Sequence, residues 1–406
     1  MADQLKTAQQ QAEVFLRQFI VKSEQDEIHR KFREYALEGN LDAITELYNR
    51  EKIQIDSVSQ YGQSALHFAA MRGHESIARF LLSKGANAQL KDTGSLQQTP
   101  VDFAYANGHF FIAGLIDPKQ VFIKTGDNKS FTYDPEQHLF KVTTSGGSFY
   151  LLGTQHDANF QKLVQKTPDI MGFLQTIEHF ISETNEETDD PGTTAMVDAF
   201  KAVWLKDTHK TVYDFLNIPF LGLGDVKQKY QGYLERLSEL LRTELIGSID
   251  NLPPWLIFLL PGLLEELDVS FRTVDYSNGI DTQLACYCKE HKKHSSILET
   301  FGQRFEIAKE VSQKLSYSQL AKWMKTDDPM EEFLLPFADA RNKMWIDKLL
   351  SRDQAELNNS LVYCGLAHLY GNNGLIELLR AKKFTVTKCT FAEAVRLKQQ
   401  PGPSPQ

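Results

Sequence analysis

The sequence predicts an all-α repeat module followed by an α/β (α+β) domain with a mixed sheet and surrounding helices. The repeat module is indicated by two copies of one motif, SALHFAAMRGH at residues 64–74 and TPVDFAYANGH at residues 99–109. The second domain is indicated by a change of pattern after Pro118. From there on, turn residues separate short runs of alternating β-forming residues, and helical stretches follow in alternation with apolar strands.

Length, charge and cysteine content exclude several classes of protein. A chain of 406 residues is long enough for two to three domains of about 150 residues. Its net charge of -9 argues against non-specific nucleic-acid binding, which needs a basic surface. Four cysteines do not make a disulfide framework and favour a reducing, cytoplasmic compartment. The most apolar run, WLIFLLPGLL at residues 255–264, is too short to span a bilayer, so we expect no transmembrane segment.

The repeat module is indicated by what its two clear copies share. In each copy a serine or threonine can cap a helix, a small alanine allows close helix packing, and a glycine allows the chain to turn. A more degenerate copy, YALEGN, precedes them, and about three repeats are needed for a stable array. The capping, small and turn positions are Ser64, Ala69 and Gly73 in one copy and Thr99, Ala104 and Gly108 in the next.

The pattern T-P-L-H-x-A, followed by glycine and then I-x-x-L-L, resembles the ankyrin repeat. We place this module at residues 25–117, after a helical lead-in at residues 1–24. Arrays of this kind present extended binding surfaces and rarely catalyse reactions. We therefore expect the module to bind a protein partner.

Four short apolar runs of the second domain each lead into a residue that can bind a metal ion. If the runs are parallel strands, their carboxyl ends share one edge of the sheet, where ligands of open α/β sheets bind. Two imidazoles and two carboxylates would then converge from distant parts of the chain. The four residues are His156, Glu183, Glu299 and His368, which follow the runs SFYLL, HFIS, SIL and LVYC.

The two histidines of this set share a local motif. Each follows its strand in a G-x-x-H unit, and the glycine allows a turn that directs the histidine over the strand ends. Two imidazoles and a carboxylate suit a divalent metal ion, and a bound ion lowers the pKa of water from about 15.7 towards 7. The alternative is that each histidine only makes a hydrogen bond within its loop.

Longer segments resemble the TraB/GumN family, which includes the Tiki metalloproteases. The resemblance covers residues 138–390. It includes an R-N pair at Arg341 and Asn342 and a P-W segment in PPWLIFLL. Its three main blocks are GSFYLLGTQHDANF at 147–160, NGIDTQLACYCKEHKKHSSILETFGQRFE at 278–306, and YCGLAHLYGNNGLIELLRAKKFTV at 363–386.

The resemblance implies a fold related to erythromycin-esterase-like and haem-uptake-like proteins. It also implies a hydrolase that depends on a divalent metal, either Mn, Co or Zn, and that cleaves peptides in the Tiki branch. By this resemblance His156 and His368 are metal ligands, and Glu183 is the third ligand or the general base. The alternative for Glu183 is that it belongs to the solvated acidic loop that follows it.

The resemblance also gives roles to three further residues. Glu299 would be a second acid that takes or gives a proton, Arg341 would stabilise the developing oxyanion, and Asn342 would help to position it. The alternative for Glu299 is a part in capping the following helix. The alternative for Arg341 is a structural ion pair with Asp339 or Glu332.

The function predicted from these observations is a metal-dependent hydrolase of a peptide or protein substrate, directed to it by the ankyrin-like module. One alternative is a non-catalytic protein that sequesters a peptide or interferes with signalling, and another is a metal-dependent esterase. The combination of modules also suggests an effector that a bacterium delivers into a host cell. The predicted segments after the repeats are a β-rich connector at 118–137, the hydrolase domain at 138–390, and a tail at 391–406 whose end is disordered.

Overall fold

The computed structural model describes residues 25–117, 133–156, 158–183, 224–240, 278–314 and 331–399. The chain divides into two compact units, residues 1–121 and 122–406. No helix in these described ranges is long and apolar enough to cross a membrane. Four predicted features lie outside them: the lead-in at 1–24, most of the connector at 118–132, the apolar run at 255–264 and the end of the tail at 400–406.

Within its described residues, the first unit is all helical, as the sequence predicts. Short helices follow one another, and the small residues Ala69 and Ala104 are fully buried. The helices are α1 (25–38), α2 (Leu41–Arg50), α3 (Ala65–Arg72), α4 (Glu75–Ser83), α5 (Pro100–Ala106) and α6 (Phe110–Ile116).

Capping residues and glycines begin and end these helices as the motif predicts. The backbone N–H of Ser64 donates to Nδ1 of His67 at 3.1 Å, and that of Thr99 donates to Asp102 at 2.8 Å. Each interaction completes a capping box at the start of α3 or α5. Gly73 ends α3 in the left-handed region at φ 78°, which glycine adopts without steric cost.

Successive repeats are connected by a histidine that lies over the turn glycine of the preceding repeat. His74 bonds through Nε2 to the carbonyl of Leu37 at 3.0 Å, and its ring covers Gly39. The ring of His109 covers Gly73 in the same way. The turn glycines are therefore required both for their backbone conformation and for the close approach of the ring.

The second unit alternates strands and helices around one sheet. Its described elements are β1 (Leu139–Thr144), β2 (Gly147–Thr154), α7 (Phe160–Lys166), α8 (Asp169–Thr176), β3 (His179–Ser182), α9 (Gly224–Leu240), α10 (Ile280–Glu290), β4 (His294–Ile297), α11 (Phe301–Gln313), α12 (Glu331–Ser351), α13 (Gln354–Leu357), β5 (Ser360–Gly365), α14 (Leu375–Ala381), β6 (Thr385–Lys388) and α15 (Phe391–Gln399).

The sheet is mixed, and this confirms the predicted fold class. Its strand order is β4-β3-β5-β2-β1-β6. Strands β2, β5, β3 and β4 are mutually parallel, whereas β1 runs antiparallel to both β2 and β6. All residues of β5 are buried, as expected for a central strand covered on both faces. The carboxyl ends of four strands therefore share one edge.

The core of this unit draws on segments beyond the predicted limits of 138 and 390. Tyr133 lies in the core although it belongs to the predicted connector. Phe391 also lies in the core, and its ring centroid is 5.2 Å from that of Phe173. The residues 391–399 of the predicted tail thus form a helix, because its apolar residues cover α8.

Two glycines of the repeat module provide a matched test of the histidine contact. Gly85 has φ 84° and nothing near the position of an added methyl group, whereas a methyl group on Gly73 would lie 2.7 Å from Cε1 of His109. We expect Gly85→Ala to lower the unfolding free energy by about 1–2 kcal/mol, because only the left-handed backbone is penalised. Gly73→Ala should lower it further, and native-state hydrogen exchange of α3 and α4 in the full chain measures both. Equal losses would show that the histidine ring moves aside without cost.

Candidate active site

The parallel strands bring the four predicted residues to one edge of the sheet. At this edge Thr154 of β2 is paired with Gly365 of β5. The backbone N–H of Glu299 donates to the carbonyl of Glu183 at 2.9 Å, which continues the β3–β4 pairing beyond the strands. The segments that carry the histidines and the glutamates therefore leave the sheet side by side.

His156 is held by a carboxylate from a helix. Its Nδ1 lies 2.7 Å from Oδ2 of Asp281, in the first turn of α10, and the hydroxyl of Thr154 donates to Oδ1 of the same carboxylate at 2.7 Å. Because a carboxylate only accepts, Nδ1 of His156 carries the proton and Nε2 bears the lone pair. The side chain of His156 is 51% exposed, whereas that of Asp281 is 5% exposed.

His368 is held by Asn342, and the contacts of this amide determine the tautomer. Nδ2 of Asn342 donates to the carbonyls of His368 at 3.2 Å and Asn373 at 2.9 Å. Its Oδ1 is therefore the acceptor for Nδ1 of His368 at 2.7 Å. Nε2 of His368 then bears the lone pair, and it accepts from Nη1 of Arg341 at 3.0 Å.

Glu183 lies between the two histidine turns. Its Oε1 accepts from the backbone N–H of Gly365 and lies 4.0 Å from Nε2 of His368. A methyl group on Gly365 would come within 3.0 Å of Nε2 of His156 and 3.2 Å of Oε1 of Glu183. Both atoms therefore lie against the same side of Gly365, and the glycine is needed because a side chain there would displace them.

Arg341 of α12 connects the carboxylates beneath the histidines. Its Nε donates to both oxygens of Glu299 at 2.9 and 3.1 Å, and its Nη2 donates to Glu183 at 2.8 Å. Trp345, one helical turn further on, donates from Nε1 to Glu299 at 3.0 Å and places its ring 4.7 Å below the guanidinium. Glu299 has no exposed surface, so four donor contacts from Arg341 and Trp345 replace water around it.

The charges of this cluster set the protonation states of its buried members. Burial would raise the pKa of Glu183, but Arg341, the two histidines and the N–H of Gly365 hold it well below its usual range. Burial is the main cause that lowers the pKa of His368 to about 3, with Glu183 opposing the shift and Arg341 adding to it. Burial would also lower the pKa of Arg341, but Glu299 and Glu183 raise it. At neutral pH the site therefore holds a charged Glu183, a neutral His368 and a charged Arg341.

The predicted metal ligands come together, but their present contacts do not fit a metal ion. Two imidazoles and a carboxylate are suitable donors for a divalent cation. Arg341, however, donates to Nε2 of His368 and to Oε2 of Glu183, so a cation already occupies the contacts of two ligands. Among the described residues, no group of three or more His, Cys, Asp or Glu is arranged to hold a metal. Metal binding at this site stays a prediction.

The geometry also bears on the alternatives that the sequence left open. Glu183 lies between the histidine turns, and its side chain is 15% exposed. The helix after Glu299 is capped by Thr300, which accepts from Gln303, while Glu299 itself binds Arg341. Arg341 does form an ion pair, but with Glu183 and Glu299.

Two important residues are absent from the predicted set. Asp281 stands in the G-x-D-x-x-L block of the middle segment, so a signal for it existed in the sequence. Trp345 follows the R-N pair and packs its ring 4.4 Å from that of His368. Both act by contacts with residues more than twenty positions away, which a local motif does not specify.

The close approach at Gly365 provides a second test. The backbone of Gly365 has φ -50°, so an alanine there meets no conformational penalty and acts only through the contact with His156 and Glu183. We expect Gly365→Ala to shift the imidazole NMR signals of His156 and to lower the melting temperature. Gly172→Ala is the control, because its methyl group would meet only Val395 at 4.0 Å and alanine favours a helix. Unchanged His156 signals in Gly365→Ala would contradict the close approach.

Comparison with known proteins gives matches to separate parts of the chain. A family model for ankyrin repeats matches residues 33–124. The chain is 31% identical over 97 residues to the NAD-capped RNA hydrolase NUDT12 of Macaca fascicularis and to that of Homo sapiens. In both cases this covers 24% of the chain and 21% of the relative. It is 25% identical over 125 residues to alpha-latrocrustotoxin-Lt1a of Latrodectus tredecimguttatus, which covers 31% of the chain and 8% of the toxin. The chain thus spans about a fifth of the length of the first two relatives and less of the third.

A second family model matches a part of the chain that carries three of the six predicted site residues. It describes the TraB/PrgY/gumN family and matches residues 324–388, which include Arg341, Asn342 and His368. His156, Glu183 and their surroundings precede the matched segment. The chain thus combines ankyrin repeats at residues 33–124 with a TraB/PrgY/gumN segment at residues 324–388.

Proposed function

We propose that the second unit is a hydrolase that adds water to the carbonyl carbon of a peptide or ester bond, and that the ankyrin repeats dock the protein on which it acts. One observation carries this proposal. His156 is half exposed, is oriented by a buried carboxylate through Nδ1, and presents Nε2 next to Glu183 and Gly365. This is the arrangement of a general base that a substrate can reach.

His156 is a better base than the other candidates. The pKa of Glu183 lies well below its usual range, so its carboxylate accepts a proton poorly. Glu299 is buried and surrounded by donors from Arg341 and Trp345. The side chain of His368 is 7% exposed, and its Nε2 accepts from Arg341.

The reaction can be followed through the protons. Nε2 of His156 takes a proton from water as the oxygen attacks the carbonyl carbon, and the resulting imidazolium is stabilised by Asp281. The same imidazolium then gives its proton to the leaving nitrogen or oxygen. During the attack the imidazolium of His156 is positive, the carboxylate of Glu183 is negative and the guanidinium of Arg341 is positive. The new imidazolium therefore lies beside a carboxylate. The positive charge of Arg341 stabilises the oxyanion that forms in this attack.

The metal-dependent form of the proposal has its own supporting observation. The described site holds the three carboxylates of Asp281, Glu183 and Glu299 but one guanidinium, that of Arg341, which pairs with Glu183 and Glu299. A divalent cation would balance this excess negative charge, and Nε2 of both histidines bears a lone pair. For His368 to serve as a ligand, Arg341 would have to release it.

Docking by the ankyrin repeats is supported by the surface of the first unit. Tyr61 and Leu96 lie in the loops between repeats and are 61% and 79% exposed. The backbone N–H of Thr93 donates to the carbonyl of Tyr61 at 2.9 Å and so joins the two loops. Exposed apolar side chains on a rigid repeat array favour a protein partner. Delivery of such a protein into a host cell stays a prediction.

The central prediction concerns the pair of His156 and Asp281. We expect His156→Ala to lower kcat by about 100-fold or more, the contribution typical of general acid–base catalysis. Asp281→Asn should also lower kcat, because it removes the acceptor that fixes the tautomer. Turnover of a quenched peptide library and an ester panel measures both effects. His294→Ala is the control, since His294 is exposed at the opposite edge of the sheet.

The outcome of this experiment separates the alternative functions. Cleavage of esters but not peptides would select the esterase. Binding of peptides without any product, unchanged in His156→Ala, would overturn the hydrolase proposal and favour a sequestering protein.

Metal dependence is tested separately by chelation and by metal content. Because Arg341 already occupies the contacts of two ligands, we expect turnover to survive exhaustive chelation. Mass spectrometry of the purified chain should then find no stoichiometric metal. Loss of turnover on chelation, restored by Mn, Co or Zn, would contradict this expectation. Metal that is bound by the wild type and lost in both His156→Ala and His368→Ala would identify the ligands.

A further inference from the structure

We propose that Tyr133, His138 and Tyr370 form a buried brace that positions both histidine turns of the site, so that His156 and His368 move as one unit. This inference rests on the proposed function for its catalytic consequence, but its structural content can be tested without turnover. The brace connects three parts of the chain that no local motif joins. Its members act on the two histidines through the backbone and ring contacts given below, and we therefore regard them as positioning residues.

The first turn is held by Tyr133. This side chain is buried, and its hydroxyl donates to the carbonyl of Gly153 at 2.7 Å. Gly153 is the glycine of the G-x-x-H unit that carries His156. Burial raises the pKa of the Tyr133 phenol well above its usual range, so the hydroxyl remains a donor at all relevant pH.

The second turn is held by His138 and Tyr370. His138 has no exposed surface, and its Nδ1 lies 2.6 Å from the hydroxyl of Tyr370. Tyr370 follows His368 by two residues and is itself buried. Burial lowers the pKa of His138 to about 3, so this hydrogen bond joins two neutral groups at neutral pH.

The two halves of the brace are joined by their rings. The rings of Tyr133 and His138 are stacked with centroids 5.6 Å apart and planes 6° apart. The ring of Tyr370 meets that of His138 edge to face at 5.9 Å. A displacement of one tyrosine is therefore transmitted to the other through His138.

The two histidine turns also pack directly against each other. A methyl group on Gly153 would lie 2.8 Å from both Cδ1 of Leu366 and Cδ2 of Leu369. The segment that Tyr370 anchors is thus the segment that packs on Gly153. Each turn is fixed against the other from two directions, by side-chain packing and by the brace.

Such a brace has a mechanistic purpose in a site built on loops. His156 and Glu183 must stay close to Gly365, and a misplacement of about 1 Å can lower a rate by about 100-fold. Asp281 alone fixes only the ring of His156, whereas the brace fixes the backbone that carries it. The backbone constraint also acts on His368, which orients Arg341.

The test uses the full chain with Tyr133→Phe, Tyr370→Phe, the double variant and Tyr150→Phe. Tyr150 is the matched control, because it is also buried and also donates to a backbone carbonyl, that of Ala394 at 3.4 Å, in a helix that carries no residue of the site. The readout is the imidazole NMR spectrum, with His156 and His368 assigned from their alanine variants. A second readout is kcat and KM on any substrate that the chain turns over.

We expect each brace variant to shift the signals of both His156 and His368, and the double variant to shift them by less than the sum of the single changes. Tyr150→Phe should leave both sets of signals in place. For turnover, we expect kcat to fall by about tenfold in the brace variants with little change in KM, because positioning and not substrate affinity is lost.

The proposal is overturned if each tyrosine affects only the histidine of its own turn, or if Tyr133→Phe and Tyr150→Phe give the same spectra. A wild-type chain without turnover on any substrate would remove the proposed function, but the spectra would still decide whether the brace exists. Brace variants that lower stability and leave both spectra and kcat unchanged would show a merely structural role.

Discussion

The arrangement of the site depends on the buried guanidinium of Arg341. Burial of a charged group without a partner is very costly, and breaking a buried pair typically costs about 3–5 kcal/mol. Arg341 therefore requires Glu299 and Glu183, which follow two neighbouring parallel strands, and both glutamates require Arg341. Correct pairing of β3 with β4 and correct docking of α12 must occur together, and the edge of the sheet is fixed as a consequence.

This constraint makes the two histidines chemically different although their motifs are alike. Arg341 donates to Nε2 of His368, and burial keeps that imidazole neutral. His156 lies above the cluster, where Asp281 orients it and solvent reaches it. A sequence with two G-x-x-H units suggests two equivalent ligands, whereas the structure presents one exposed base and one buried anchor. The difference follows from α12, whose Arg341 and Asn342 both bond to the ring of His368.

The sequence predicted the fold class and the meeting of His156, Glu183, Glu299 and His368 because both follow from local pattern. Apolar runs indicate strands, and parallel strands share an edge whatever their order. Contacts that join distant positions were beyond such reasoning. Three examples are the hydrogen bond of His156 to Asp281, the four donor contacts that Arg341 and Trp345 make to Glu299, and the brace around His138. The sequence placed the end of the domain at 390, whereas Phe391 and Ala394 of the last helix lie in the core and Val395 packs against it.

Under the proposed function, the second unit supplies the catalytic base and the ankyrin repeats select the substrate. A base on an exposed loop gives access to varied substrates, but the described site offers few groups that could select a particular sequence. Selection can then come from the ankyrin repeats, since a partner docked on the same chain is presented to the site at a high effective concentration. Binding energy at the repeats would raise the rate for the docked protein without any change in the site. Because such an effect acts on KM, whereas the brace around His138 acts on kcat, the contributions of the two units can be measured independently in one chain.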